Sequence, residues 1–138
     1  MTKIKITLLL ITLTLLSLNA QEQTNDTSKT NVEVFIPVEK TAEFPGGITK
    51  LYTNYIDRKL KYPKDARREG IKGKVFVEFV INKDGSIDDS TVKVVQGLNE
   101  SCNNEAIRVI KECPNWIPAT INNKPVKQKF VIPINFNP

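Results

Sequence analysis

Residues 62–79 read YPKDARREGIKGKVFVEF, and this stretch decides the fold. It holds a turn-forming Tyr-Pro, a short basic helix, a glycine stop and a long strand for which the later chain reads as a partner. Pro63 favours the first position of the helix, and the pre-proline restriction keeps Tyr62 extended. Ala66 to Glu69 complete a short helical turn, which Gly70 ends with a left-handed residue. In the strand, Val75, Val77, Phe79 and Ile81 point one way, whereas Lys74, Phe76, Glu78 and Val80 point the other. This is the pattern of an antiparallel sheet with one partly exposed side.

Asp84-Gly85 closes the strand with a hairpin signal, and Ile87 to Val95 is the returning strand. Asp84, Asp88 and Asp89 lack the spacing and the terminal Glu of a calcium loop, so their expected duty is in the turn and along the strand edge. After Gly97 an amphipathic helix runs from about Ser101 to Lys111. It buries Cys102, Ala106, Val109 and Ile110, with Cys113 in line behind them, and Pro114 ends it. An intervening helix sets the two cysteines about 16 Å apart, too far for a disulfide, and returns them to nearly the same face. Both are expected as buried free thiols.

Trp116, between Pro114 and Pro118, occupies an extended corner and is expected as a core anchor. Asn122-Asn123 forms a turn, and Val126 to Phe136 is the last strand, with Phe130, Ile132, Ile134 and Phe136 on one face. Pro133 has no N–H to give to a ladder, which places this strand at an edge with the missing donor outward. A three-stranded sheet follows, with Val75 to Ile81 central, Ile87 to Val95 on one side and Lys127 to Phe136 on the other. The hairpin pairs the first two strands, and a helical crossover of about thirty residues returns the chain to the opposite side.

Upstream, Phe44-Pro45-Gly46-Gly47 is turn chemistry ahead of a helix to about Lys59. Ile48, Leu51, Tyr52, Tyr55 and Ile56 make its apolar stripe. The glycines lack the spacing of a phosphate cradle. Lys59, Lys61, Lys64, Arg67, Arg68, Lys72 and Lys74 form the densest basic cluster, either a solvated face or a surface for an acidic partner or phospholipid. Val32 to Ile36 permits a short edge strand before Pro37. Gln21 to Asn31, QEQTNDTSKTN, has no large apolar residue and reads as a disordered leader, extending to about residue 34.

The first twenty residues read as an export signal. Lys3 and Lys5 precede an apolar run from Ile6 to Leu18 that is too short to span a membrane as a helix, and cleavage is expected after Ala20. An uncleaved inner-membrane anchor is the alternative, because Leu18 is larger than the usual small residue before such a site. The whole chain has 138 residues, 25% of them charged, a net charge of +5 and no histidine. That removes the commonest general base and metal ligand. With Lys3 and Lys5 removed the remainder is only weakly basic, a poor match to nucleic acid. No nucleophile-base pair or metal cluster appears, so catalytic, cofactor and metal sites are all expected to be absent.

Glu43-Phe44-Pro45-Gly46-Gly47, Tyr62-Pro63-x-x-Ala66, Gly70-Ile71-x-Gly73-x-Val75, Asp84-Gly85, Glu105-Ala106-x-x-Val109, Pro114-x-Trp116-x-Pro118-Ala119 and Pro125-Val126 together closely resemble the C-terminal domain of TonB proteins. The resemblance covers roughly Phe35 to Phe136. It implies an α+β domain at 35–138, a three-stranded antiparallel sheet with two main helices packed on one face. It further implies a periplasmic protein that pairs by β-augmentation with the TonB box of an outer-membrane transporter, in the service of energised transport. Carried onto this sequence, the partner-binding residues are Lys127, Gln128, Lys129, Phe130, Val131, Ile132, Pro133 and Ile134, with Tyr62 and Pro63 close to the bound segment.

A complete TonB transducer also has a membrane-spanning anchor at a proton-driven motor and a long Pro-rich spacer. Here the leader reaches at most about 40 Å, so the receptor-binding part is recognisable and the force-transmitting part is not. Inner-membrane motor proteins or a full-length TonB are therefore possible additional partners, and a homodimer is possible. The alternative function is an envelope adaptor of the same fold that binds a non-transporter protein without energy transduction.

Overall fold

The computed structural model describes residues 37–137. The expected export signal, the leader and the short strand at 32–36 lie outside the described residues. In chain order the elements are α1 (residues 47–59), α2 (Lys64–Arg68), β1 (Gly73–Ile81), β2 (Lys93–Gln96), α3 (Glu100–Lys111), β3 (Ala119–Ile121), β4 (Lys124–Val126) and β5 (Gln128–Phe136). The main sheet is antiparallel in the order β2-β1-β5, as the hairpin and crossover require. β3 and β4 make a separate hairpin. Its turn residues Asn122 and Asn123 both take positive φ, 51° and 60°, a conformation asparagine tolerates.

The alternation of β1 sets the core. Val75, Val77, Phe79 and Ile81 are fully buried, and Ile132, Ile134 and Phe136 of β5 extend their face. Leu51, Tyr55 and Ile56 of α1 and Cys102, Ala106, Val109 and Ile110 of α3 complete the same cluster. The fold is thus α+β with both main helices on one face of the sheet. Two polar ties lock the helices together. Tyr55 donates its hydroxyl to the Val109 carbonyl at 3.0 Å. Arg108 donates to the Lys59 carbonyl and to Glu105, whose carboxylate also accepts from the Lys61 amide at 2.7 Å. Burial alone would raise the Glu105 carboxyl, but the Arg108 and Lys61 hydrogen bonds outweigh it and hold the group below its ordinary value.

The first helix departs from its expected winding. Leu51–Ile56 is a π-helical segment inside it, and the wider turn brings Leu51, Tyr55 and Ile56 onto one buried face. Ile48, expected in the same stripe, is rotated out and is 52% exposed. Pro63 also sits one position earlier than expected. It is extended (φ −60°, ψ 140°) and precedes α2 rather than opening it. Gly70 does end that helix in the left-handed region, φ 66°.

The returning strand is shorter than its sequence implies. Ile87 makes only an isolated bridge to Ile81, Asp89–Thr91 is a 3-10 turn, and regular pairing is confined to Lys93–Gln96, with a register break opposite Phe76 and Val77. Side chains have taken over the ladder here. Asp88 accepts from the Ser90 amide and hydroxyl, and the Thr91 hydroxyl accepts from the Val80 amide at 2.9 Å, the local competition typical of Asp, Ser and Thr. Asp84 does the same for Ser86. These Ser contacts hold both carboxyls below their ordinary values. The hairpin loop has three residues, Lys83 to Gly85. The Gly85 amide donates to the Asn82 carbonyl and the Asn82 amide to the Ser86 carbonyl.

Gly85 has φ 86°, and a Cβ there would lie 1.9 Å from the Trp116 carbonyl oxygen. Its own carbonyl accepts from the Trp116 amide at 2.7 Å. The hairpin turn is thereby fastened to the tryptophan corner. Trp116 is 4% exposed and packs edge-on against Phe44 and Phe79, as a core anchor. Its indole Nε1 has no geometrically acceptable hydrogen-bond partner among the described residues. Cys102 and Cys113 are both free thiols. Cys102 is buried as expected, whereas Cys113, just beyond α3, is half-buried. Burial pushes the Cys113 thiol up to about 11, partly offset by the nearby Trp116 indole.

Candidate functional site

β5 pairs with β1 over its whole length, and no described strand pairs with its other side. The direction of its backbone groups follows from β1. Val80 accepts from the Asp88 amide and donates to the Thr91 hydroxyl, so its N–H and C=O point toward β2. Its neighbour across the sheet, Lys129, is therefore in a non-hydrogen-bonded pair, and its own N–H and C=O point away from β1. Alternation extends this to Val131, Pro133 and Asn135. The missing N–H of Pro133 thus falls on the open side, which is why a proline sits in an otherwise regular strand.

This open row is bounded at both ends. Pro133's carbonyl accepts the Tyr52 hydroxyl at 3.1 Å, and partial burial raises that hydroxyl's pKa. At the other end Gln128 Oε1 accepts the Ala42 amide at 2.7 Å. Between them the Lys129 and Val131 amides and carbonyls remain directed outward, with no hydrogen-bond partner among the described residues. Two N–H and two C=O groups in a regular row are the groups that an added strand would need for ladder hydrogen bonds.

The other expected partner-binding residues divide by face. Phe130 points inward, its ring 6.2 Å from Phe79 and 5.4 Å from Trp116. Ile132 and Ile134 are buried in the core, whereas Val131 is 48% exposed. Lys127 lies just before β5, 3.8 Å from the Asp88 carboxylate. Lys129 is 3.8 Å from Glu78, which Lys93 approaches from β2 at 3.0 Å. The Lys93 contact is the main reason the Glu78 carboxyl is held low, with Lys129 adding to it.

Tyr62 and Pro63 stand apart from the open row. The Tyr62 ring is 6.2 Å from that of Phe136, at the far end of β5, its hydroxyl donates to the Ile71 carbonyl, and Arg67 lies over it at 5.5 Å. Pro63 precedes α2. Sequence reasoning missed Tyr52 and Ala42, which bound the open row, because both act across more than eighty residues of chain. No local pattern encodes such contacts.

The fold and its open strand define a small α+β domain with one long unpaired sheet edge among the described residues. The chain matches the family of the Gram-negative bacterial TonB protein C-terminal over residues 58–138, more than half of its length, and belongs to that family. Among curated proteins, Protein TonB of Helicobacter pylori strains J99 and 26695 is 41% identical over 64 residues. That alignment covers 46% of this chain and 22% of each relative, so the match spans about a fifth of the relatives' length. Among solved structures, two NMR structures of the Helicobacter pylori TonB C-terminal domain are 31% and 36% identical. Each covers 64% of this chain, and 91% and 77% of the respective solved chains, at a TM-score of 0.48.

Proposed function

We propose that this protein is a periplasmic protein-binding module that docks on TonB-dependent outer-membrane transporters by β-augmentation along β5, linked to energised transport. The observation that carries the reading is the outward row of Lys129 and Val131 backbone groups beside Pro133. In such pairing the main chain supplies much of the affinity, and side chains select the partner. Membership of the TonB C-terminal family supports the transporter as client and its TonB box as the added strand. Lys127 and Lys129 at the mouth of the row favour a segment with acidic character. Among the described residues no helix is long and apolar enough to cross a membrane. Export through residues 1–20 and a leader ending near residue 34 are part of the proposal, as is placement of the domain at 35–138.

The test is titration of isotopically labelled protein with a TonB-box peptide, followed by NMR. The amides of Lys129 and Val131 are expected to shift most. Shifts confined to α1 and α3, with the β5 amides unmoved, would remove the augmentation model.

A further inference from the structure

Beside the open row lies a pocket of about 370 Å³. Three aromatic rings, Phe44, Trp116 and Phe130, line it, with Ala42 and the half-exposed Ile48. Phe130 belongs to both features. Its backbone faces β1, so an antiparallel strand added to Lys129 and Val131 places one residue opposite Phe130 in a non-hydrogen-bonded position. There side chains on the same face come closest. That residue's side chain projects to the inner face of the sheet, where Phe130 and the pocket are.

Resting on the augmentation reading, we propose that this pocket receives one aliphatic side chain of the added peptide, the residue opposite Phe130, and so sets the register and side-chain preference of the interaction. The lining is apolar except for Glu43 and Thr41, and a carboxylate at the rim disfavours an acidic side chain. The peptide residues on either side, paired with Lys129 and Val131, turn their side chains to the opposite face. There Lys129, Glu78 and Lys93 form a charged row that accepts polar side chains. The selected pattern is therefore polar, aliphatic, polar. It is short because Tyr52 closes the edge at Pro133 and Ala42 closes it at Gln128. A larger hollow lined by Glu39, Lys40, Thr120 and Asn123 includes no residue of β5 and plays no part in this recognition.

Threonine-rich seven-residue peptides with leucine, glycine, aspartate or lysine at the centre test the proposal against the intact protein. The chain has one tryptophan, so a single indole N–H resonance reports the pocket while the Val131 amide reports the edge. The leucine peptide is expected to bind about tenfold or more tighter than the glycine peptide. It should move both resonances, and the glycine peptide only the Val131 amide. Replacing exposed Ile48 by Trp should fill the mouth and erase the leucine preference while leaving the Val131 shift.

Equal affinity for leucine and glycine, or an indole resonance that never moves while Val131 does, overturns the pocket and leaves the edge reading standing. Strongest binding by the lysine peptide makes the occupant a cation and likewise overturns the proposal. Failure of both resonances to move for every peptide, including the TonB-box peptide, removes the edge reading and the pocket with it.

Discussion

As a sheet edge β2 runs for four residues, Lys93–Gln96, broken in register and preceded by a 3-10 turn, whereas β5 runs for nine in unbroken register with β1. Both are edges of one sheet, with the same central strand behind them. β2 is short and irregular, and its side-chain hydrogen bonds replace ladder bonds next to it, so it offers poor templating for another chain. β5 is long and regular, and what limits further pairing lies at its ends: Pro133, whose carbonyl Tyr52 also occupies, and the Ala42 amide on Gln128. The contrast teaches that edge protection here is spent on one side, leaving Lys129 and Val131 available on the other.

The largest expected effect breaks the element that both edges share. The Trp116 ring packs against Phe44, Phe79 of β1 and Phe130 of β5, so Trp116→Ala should cost about 3–5 kcal/mol of unfolding free energy, measured by urea denaturation, while the backbone bond to Gly85 remains. Wild-type stability with lost peptide binding would instead make the ring a ligand platform. Next comes Val131→Pro, which removes an outward donor without breaking a ladder bond. It should weaken a TonB-box peptide about tenfold while Val131→Thr and Val95→Thr leave affinity nearly unchanged. If Val95→Thr on β2 weakens binding as much, the two edges are not distinguished by function.

An alkaline titration sharpens the comparison from within the core. The Tyr55 hydroxyl is pushed up to about 12, chiefly by burial, and the Cys113 thiol to about 11, from ordinary values of 10.0 and 9.0. Burial disfavours the anionic form of both groups, so their folded values exceed their unfolded ones. The stability they contribute is intact below about pH 9 and is lost as pH rises to about 12. Melting temperatures from pH 8 to 12 should fall in that window, and Tyr55→Phe should flatten part of the fall.

Smaller still, Tyr52→Phe should cost about 1 kcal/mol or less in thermal denaturation and should let peptides pair past Pro133, detected as added protection of the Asn135 amide from hydrogen exchange. The smallest effect is expected from reductant. Alkylation under denaturing conditions without it should label both Cys102 and Cys113, and adding it should leave the melting temperature unchanged.

Much of the fold was legible because it rests on local chemistry and on periodicity. The two faces of β1, the Asn122-Asn123 turn, the left-handed Gly70 and the buried side of α3 each follow from residues a few positions apart. Pro133 also told its own place, since a residue without an N–H tolerates only the open side of an edge strand. The winding of α1 was not legible. Leu51, Tyr55 and Ile56 fit a π-helical face only because tertiary packing favours burying all three, and the α-helical stripe that included Ile48 was the simpler reading of the same letters.

The sequence by itself determined the strand order, the existence of an open edge and the family. Only the tertiary structure decided how much of that edge is open. Its limits are the Tyr52 hydroxyl on Pro133 and the Ala42 amide on Gln128, and its flank is the ring cluster of Phe44, Trp116 and Phe130. Each joins segments far apart in the chain. Contacts of that kind are fixed by how helices and loops settle on the sheet, a global balance of burial and hydrogen bonding that no local spacing records.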